Sequence, residues 1–136
     1  MIWMLDTDTV GYLINRGTRV ERIKRRLSGR SRGEIRISAI ALVEIRNGFA
    51  AGDVSAEKST ALEDFLALFQ VNDFPAAAAD DYAEIRVALE RIGKRIGGYD
   101  LLIAAHARHI GATLVTNNEF EFRRVPGLAV QNWLKP

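Results

Sequence analysis

The chain has 136 residues, of which 48% are hydrophobic and 26% are charged, and these proportions predict one globular domain with a single core. It contains no cysteine, which excludes disulfides, thiolate metal sites and a cysteine nucleophile. No segment reaches the roughly 20 apolar residues of a membrane span. The first apolar run is broken by Asp6, which does not fit a signal peptide. We therefore expect a cytoplasmic protein without a membrane segment.

The net charge is only +2, but basic residues concentrate in one stretch near the N-terminus. Between residues 16 and 32 there is a single acid, Glu21, and the basic residues are Arg16, Arg19, Arg22, Lys24, Arg25, Arg26, Arg30 and Arg32. Such a run is either a solvated helix face or a patch that attracts phosphate groups, and the run alone leaves both interpretations open. On the second interpretation, Arg22, Arg25 and Arg26 are candidate contacts to nucleic acid.

Apolar runs and alternating patterns predict strands at 2–5, 35–37, near Val71, at 113–116 and at 128–131. Helical spacing of apolar residues predicts helices at 20–27, 38–48, 56–69, 76–96 and 100–109. Ser38 is positioned to cap the second helix, and Gly97-Gly98 and Gly111 are expected to end the last two.

This alternation of strands and helices predicts an α/β fold, with a central, mostly parallel sheet between two layers of helices. We expect residues 1–136 to form one such three-layer α/β/α domain. In folds of this kind, ligands bind beyond the carboxyl ends of the strands, so residues that follow strands are the first candidates for a site.

Four acids adjoin apolar segments where a soluble protein rarely places charge. Asp6 ends the first strand, Glu44 interrupts an apolar helix, Asp100 opens another helix, and Glu121 follows a late strand. Carboxylates in such positions are costly unless they are paired with a cation. We therefore expect them to converge on a hard divalent cation, Mg²⁺ or Mn²⁺, that would also stabilise the fold.

Each acid also has a structural interpretation. Asp100 fits a simple helix cap, Glu44 a solvated helix residue, and Glu121 competes with its neighbour Glu119 for the same role. Asp6 is the hardest to explain by structure alone. The set of four therefore carries more weight than any of its members.

Four further residues receive a structural interpretation. His106 and His109 are three residues apart on a predicted helix, but they lack the spacing of a zinc motif and are expected to be surface or partly buried histidines. Trp3 and Trp133 are expected to be packing residues, since the aromatic residues are not interleaved with the basic run.

Four segments surround the acids in chain order. The opening segment is Met4-Leu5-Asp6-Thr7, and the segment around the second acid ends in Val43-Glu44-Ile45-Arg46-Asn47-Gly48. The third is Gly97-Gly98-Tyr99-Asp100-Leu101-Leu102-Ile103-Ala104-Ala105-His106-Ala107, and the fourth is Leu114-Val115-Thr116-Asn117-Asn118. Taken in order, these segments resemble the PIN-domain ribonucleases of the VapC toxin type, and the likeness covers almost the whole length of the chain.

The resemblance implies a Mg²⁺-dependent endoribonuclease that stops translation by cutting tRNA or ribosomal RNA. Asp6 and Asp100 would be the principal metal ligands, Glu44 would complete the acidic cluster, and Glu121 would be its variable fourth member. The resemblance also implies a homodimer, and a VapB-type antitoxin that covers the active site and provides the only link to DNA. Candidate substrate contacts beside the acids are Thr7, Asp8, Ser38, Thr116, Asn117 and Asn118.

One position departs from the family pattern, because Asp8 stands where an Asn is usual. The change creates Asp6-Thr7-Asp8-Thr9-Val10, the opening motif of haloacid-dehalogenase-like phosphatases, in which the first Asp is the nucleophile and the second the acid or base. In that case Ser38 would represent the second motif of those enzymes, although their later acidic pair is missing. A non-catalytic PIN-like RNA-binding module is the third interpretation.

Overall fold

The structure is a computed structural model that describes residues 1–15 and 19–136. Arg16, the first residue of the basic run, lies outside the described residues. The strands are β1 (Trp3–Leu5), β2 (Ile35–Ser38), β3 (Gln70–Asn72), β4 (Thr113–Val115) and β5 (Ala129–Gln131). The helices are α1 (Thr7–Asn15), α2 (Val20–Ser28), α3 (Ala39–Ala51), α4 (Ala56–Leu68), α5 (Ala78–Arg91), α6 (Gly98–His109) and α7 (Glu119–Phe122), with a 3₁₀ turn at Arg32–Glu34.

The strands form one five-stranded sheet in the order β3-β2-β1-β4-β5, and every pairing is parallel. In the central strand, Leu5 lies opposite Ile37 of β2 and Val115 of β4. All three residues of β1 and of β4 are buried, as expected for strands that are covered on both faces. The predicted α/β fold is confirmed, and its sheet is entirely parallel.

The strand order places a crevice beside β1. The chain proceeds outward from β1 to β2 and β3, then crosses to β4 and β5 on the other side. Right-handed crossovers in opposite directions put their helices on opposite faces of the sheet. Ligands of open parallel sheets bind at this reversal point, outside the carboxyl ends of the strands. Here those ends are Asp6 after β1 and Thr116 after β4.

Two helices were missing from the sequence-based prediction, α1 and the short α7. Helix α1 follows β1 directly, and Asp6 caps it by accepting a hydrogen bond from the backbone N–H of Thr9 at 2.9 Å. Its buried residues are Thr9, Val10 and Ile14, too few apolar positions to form a clear stripe. The predicted strands and the other helices are present, with shifted ends.

The prediction that the helix from residue 76 continues to Ile96 is wrong, because α5 ends at Arg91. Gly93 has a φ of 65° in the left-handed region, and Lys94 N–H donates to the carbonyl of Leu89 at 2.9 Å. This arrangement is a glycine C-cap, and it leaves Ile92 exposed. Gly111, with a φ of 71°, ends α6 in the same way, as predicted.

Trp3 and Trp133 pack in the core, as predicted, with ring centroids 6.3 Å apart. The guanidinium of Arg30 lies 4.3 Å from the ring centroid of Trp3 and 4.8 Å from that of Trp133. It also donates a hydrogen bond to the backbone carbonyl of Arg26. Arg30 therefore belongs to the packing of β1 against the C-terminal segment and not to an open basic surface.

The structure contains no helix, among the described residues, that is long and apolar enough to cross a membrane.

We predict that Arg30→Ala lowers the free energy of unfolding by about 1–2 kcal/mol, since it removes the cation–π contacts and the packing of the arginine stem. Urea denaturation of the two proteins measures this difference. Arg25→Ala is the matched control, because Arg25 is an exposed arginine on the neighbouring helix. Equal losses from the two substitutions would contradict a packing role for Arg30.

Candidate active site

Asp6 occupies the carboxyl end of β1 and is only 3% exposed. Its Oδ1 accepts hydrogen bonds from Thr9 N–H at 2.9 Å and from the Thr9 hydroxyl at 2.6 Å. The Asp6 N–H donates to the carbonyl of Val115 at 3.0 Å, which ties the residue to β4. The carboxyl group is therefore fixed in orientation by both strands at the reversal point.

Burial raises the pKa of Asp6 above its ordinary value. Hydrogen bonds from Thr116 and Thr9 lower the pKa and oppose this effect, while the charge of Asp8 raises it further. The net direction is upward. The hydrogen bonds therefore only partly offset the cost of holding a carboxylate here.

Glu44 reaches the same edge of the sheet from α3. Its Oε1 accepts a hydrogen bond from the hydroxyl of Thr7, the first residue of α1, at 2.6 Å. This bond joins α1 to α3 across the crevice and orients the carboxylate. Glu44 is thus anchored as well as partly exposed, unlike a freely solvated helix residue.

Asp100 lies in the first turn of α6, where the positive end of the helix dipole favours a carboxylate. Its pKa is nevertheless raised to about 6, first by burial and then by the negative charges of Glu44, Asp6, Asp8 and Glu121. The structure therefore brings together the four acids singled out in the sequence, with Asp8 as an exposed fifth member.

Glu121 is oriented by the loop that follows β4. Asn118 N–H donates to the hydroxyl oxygen of Thr116 at 2.9 Å, and the Asn118 side chain donates to Glu121 Oε2 at 2.8 Å. Glu119 instead pairs with Arg123 and Lys135. Glu121, and not Glu119, is thus among the acids whose charges act on Asp100, and the Asn118 side chain holds Glu121 in place.

None of these five acids forms an ion pair with a lysine or arginine among the described residues, where the ion pairs lie elsewhere. No basic side chain in the described part of the molecule therefore neutralises their mutual repulsion. In residues 1–15 and 19–136, no group of three or more acids or histidines is arranged to hold a metal ion by itself. Mg²⁺ suits such a site, since it commonly binds through one or two carboxylates and keeps several waters.

Two predicted substrate contacts are wrong, because their side chains are buried. Ser38 is 0% exposed; its hydroxyl accepts from Ile40 N–H, capping α3, and lies 2.8 Å from Nδ1 of His106. Thr116 is 1% exposed and contacts Asp6. Both residues therefore contribute to the site through buried contacts, Ser38 with His106 and Thr116 with Asp6. Thr7, Asp8, Asn117 and Asn118 retain at least partial exposure.

The two histidines differ in burial. His106 is 0% exposed, against the expectation of a surface or partly buried residue, and burial lowers its pKa so that the neutral form is favoured. Its contact with Ser38 connects α6, which carries Asp100, to the end of β2. His109 is exposed and contacts Asp81.

The supporting residues Thr9 and His106 were not found from the sequence. Asp6 follows a predicted strand directly and is a common N-cap residue, and this helix-start signal could have revealed α1 and with it the contact to Thr9. No comparable signal points to His106, because its partner Ser38 is 68 residues away.

The three predicted arginine contacts have different surroundings on α2. Arg22 donates to the carbonyl of Leu134 at 2.7 Å and lines a cavity with Asn117 and Asn132. Arg26 lines an adjoining cavity. Arg25 lines neither of these two cavities.

The sequence of this chain is similar to one protein family and to proteins named as ribonucleases. Residues 3–128 match the family model described as PIN domain. The ribonuclease VapC2 of Rickettsia felis is 39% identical over 135 residues, which are 99% of this chain and 100% of that protein. The tRNA(fMet)-specific endonuclease VapC of Shigella flexneri is 34% identical over 131 residues, which are 96% of this chain and 97% of that protein.

Chains of solved VapBC complexes have the same fold as this protein. A chain of the DNA-bound VapBC2 complex of Rickettsia felis superposes with a TM-score of 0.86 and 38% identity, over 98% of this chain and 99% of that chain. A chain of DNA-bound VapBC from Salmonella typhimurium gives a TM-score of 0.88 and 33% identity, over 98% of each. The chain belongs to the PIN domain family. Within it the relatives are VapC ribonucleases, which confirms the resemblance seen in the sequence.

We predict that, in EDTA, the free energy of unfolding falls by about 1–2 kcal/mol as the pH rises from about 4 to 7. The folded chain holds the Asp100 proton up to a pKa of about 6, whereas the ordinary pKa is 3.8. Unfolding therefore releases this proton within that window, and a rising pH favours the unfolded state. Thermal and urea denaturation at several pH values measure the slope.

Asp100→Asn should flatten this pH dependence, although Asp6, whose pKa is shifted in the same direction, retains part of it. Asp64→Asn, at an exposed position on α4, is the control and should leave the slope unchanged. Addition of Mg²⁺ should restore stability at neutral pH. An unaltered slope in Asp100→Asn would refute the assignment of the effect to Asp100.

Proposed function

We propose that this protein is a Mg²⁺-dependent endoribonuclease that acts as the toxin of a toxin–antitoxin pair. The observation that carries the proposal is the convergence of Asp6, Glu44, Asp8 and Glu121 on Asp100 without a compensating cation from the described chain. Family membership supplies the reaction class, since the relatives are named as ribonucleases.

Asp6 and Asp100 would be the principal ligands of Mg²⁺, with Glu44 as the third carboxylate and Glu121 as an outer member. When bound, Mg²⁺ or Mn²⁺ neutralises developing charge on phosphate oxygens and activates a water for attack on phosphorus. The shared negative charge of these residues and the raised pKa of Asp100 are the features that fit a divalent cation.

The other residues of the site keep these carboxylates in place. Thr9 holds one oxygen of Asp6, Thr7 holds one oxygen of Glu44, and Asn118 holds one oxygen of Glu121. Side chains that are already oriented lose little freedom when a cation or phosphate arrives. A nucleophilic side chain is unnecessary in this scheme, since water is the attacking group.

We propose tRNA as the substrate class. The support is the Shigella flexneri relative, which is named as specific for tRNA(fMet) and aligns over 96% of this chain. Initiator tRNA is therefore the first substrate to test, with ribosomal RNA as the second.

We further propose a VapB-type antitoxin as the partner and a homodimer as the toxin assembly. The antitoxin is supported by relatives that were solved as VapBC complexes, some of them bound to DNA. In this scheme the chain contacts DNA only through the antitoxin. The homodimer is supported by large apolar side chains that stay exposed in the single chain, including Val87 on α5 and Ile92 at its end.

The phosphatase alternative is disfavoured by the position of Ser38. That residue would have to contact a phosphate, but it is fully buried and bonded to His106. A non-catalytic RNA-binding module remains as the second candidate, because exposed arginines on α2 do not by themselves require catalysis.

We predict that the purified protein cleaves initiator tRNA in Mg²⁺ but not in EDTA. Asp6→Asn and Asp100→Asn should each reduce the rate at least about 100-fold, equivalent to about 3 kcal/mol, because each removes a metal ligand. Gel analysis and mapping of the RNA ends measure cleavage.

The control is Asp64→Asn, which removes an exposed carboxylate on α4 and should cleave normally. In cells, induction of the wild type should arrest growth, and co-expression of its antitoxin should relieve the arrest. Cleavage that persists in EDTA, or in Asp100→Asn, would falsify the metal-dependent mechanism. RNA binding without any cleavage would favour the non-catalytic module.

We predict that Asp8→Asn retains cleavage at saturating Mg²⁺ but raises the half-saturating Mg²⁺ concentration about two- to fivefold. The substitution removes one exposed negative charge that acts on Asp6 and Asp100, worth about 0.5–1 kcal/mol at this distance from the cation. Titration of the cleavage rate with Mg²⁺ measures the change. A loss of activity as severe as that of Asp6→Asn would instead support an acid or base role for Asp8.

A further inference from the structure

Two adjoining cavities lie beyond β5, between α2, α7 and the C-terminal segment, with volumes of about 510 and 570 Å³. They share Asn132 and Lys135. We call the surface that they form the basic groove. Its charged lining residues are Arg19, Arg22, Arg26, Arg123, Lys135 and the single acid Glu119.

The groove begins beside the acidic site. Asn117 lies in its lining one residue after Thr116, which contacts Asp6. Asn132 is the first residue after β5, and Asp6 is the first after β1. Because the sheet is parallel, all these residues lie at the same edge. The groove is thus the lateral continuation of the crevice that holds the carboxylates.

Hydrogen bonds link several residues along the groove. The Asn132 side chain donates to Asn117 Oδ1 at 3.2 Å, and Asn117 donates to the hydroxyl of Tyr12 at 3.5 Å. Arg19 donates to the same hydroxyl at 3.1 Å, with its guanidinium 5.2 Å from the centroid of the tyrosine ring. The arginine is therefore held at the groove by a contact that also orients Asn117.

Arg22 is fixed by a different contact. One of its terminal nitrogens donates to the carbonyl of Leu134 at 2.7 Å. A guanidinium has five N–H donors, so this bond leaves most of them for a ligand. Lys135 and Arg123 both contact Glu119, which positions them and neutralises only one of the two charges. Cations that are held in place lose less side-chain entropy on binding an anion.

The arrangement suits a chain of phosphates. Five cationic side chains and one carboxylate line a groove that leads to a group of acids lacking any basic partner among the described residues. Planar guanidinium groups bind phosphate with two hydrogen bonds, and the uncharged amides of Asn117 and Asn132 can contact sugar or base edges. An acidic peptide would also pair with the arginines, but it has no sugar or base edges for the two amides and no phosphodiester bond for the proposed ribonuclease site.

We propose that the basic groove binds the RNA backbone next to the cleaved bond, with Arg19 and Arg22 as phosphate ligands. This inference rests on the proposed ribonuclease function and adds the path of the substrate. The proposal also divides the basic run into residues inside and outside the groove. Lys24 and Arg25 lie on α2 like Arg22, but they line neither cavity.

The test compares two charge-matched double variants, Arg19→Gln/Arg22→Gln and Lys24→Gln/Arg25→Gln. Each loses two positive charges, the first inside the groove and the second outside it. Binding of a fluorescein-labelled 20-nucleotide RNA is measured by anisotropy in EDTA at several salt concentrations, so that cleavage does not interfere. Thermal denaturation establishes that both variants are folded.

We expect the groove variant to bind at least about tenfold more weakly, and its salt dependence, as log K against log salt, to lose about 1.4 in slope for two phosphate contacts at roughly 0.7 each. The outside variant should remain within about twofold of the wild type. Equal weakening of both variants, no weakening of either, or no binding by the wild type would each overturn the proposal.

Two further readouts separate the alternatives. Binding of a labelled poly-glutamate peptide is measured in the same way. If the wild type binds this peptide more tightly than the RNA, and the groove variant no longer binds it, the proposal is overturned in favour of a peptide site. Cleavage of tRNA in Mg²⁺ is measured in parallel. If the RNA binds through the groove but neither the wild type nor the variants cleave the tRNA, the proposed role of the groove is retained and the proposed ribonuclease activity is rejected.

Discussion

The repulsion among the carboxylates at the carboxyl edge of β1 and β4 is the constraint on which this structure depends. A carboxylate that is 3% exposed, as Asp6 is, must be compensated by hydrogen bonds or by a cation. Thr9 and Thr116 supply hydrogen bonds, yet the pKa remains raised. The fold therefore holds its site in an electrostatically unfavourable state, and this state is the one in which a divalent cation has most to contribute.

Several polar contacts hold the charged side chains of the site in place. Helix α1 begins on the Asp6 side chain, so the same carboxyl group caps a helix and faces the crevice. The bond from Thr7 to Glu44 joins this helix to α3, and the contact of His106 with Ser38 joins α6 to the end of β2. Each acid is thus carried by an element that a buried or partly buried polar contact ties to its neighbour. Such contacts fix geometry more than they add stability.

The sequence was sufficient to predict the sheet and the convergence of acids, because strands that are buried on both faces read as apolar runs, and Asp6 stands out at the end of such a run.

The sequence did not reveal which polar side chains near the strand ends point into the core and which face the solvent. Ser38 ends β2 and Thr116 follows β4, yet both side chains are buried, and only the packed structure distinguishes them from the exposed Asn117. Helix α1 was missed because a capping contact, and not an apolar stripe, starts it. Helix α5 was overextended because its apolar spacing continues past Gly93, whose left-handed backbone ends the helix.

The net charge of +2 conceals a segregation of charge along one sheet edge. Acids gather at the reversal point between β1 and β4, and cations gather beside β5. These neighbours do not neutralise one another, since the nearest acid in the groove, Glu119, pairs with Lys135 and Arg123 and not with the arginines of α2. In the proposed function, an RNA backbone attracted to the cations would lie next to carboxylates that repel it. A divalent cation at those carboxylates would relieve this repulsion, so binding of the substrate and binding of the metal would be coupled through the arrangement of charge on this one edge.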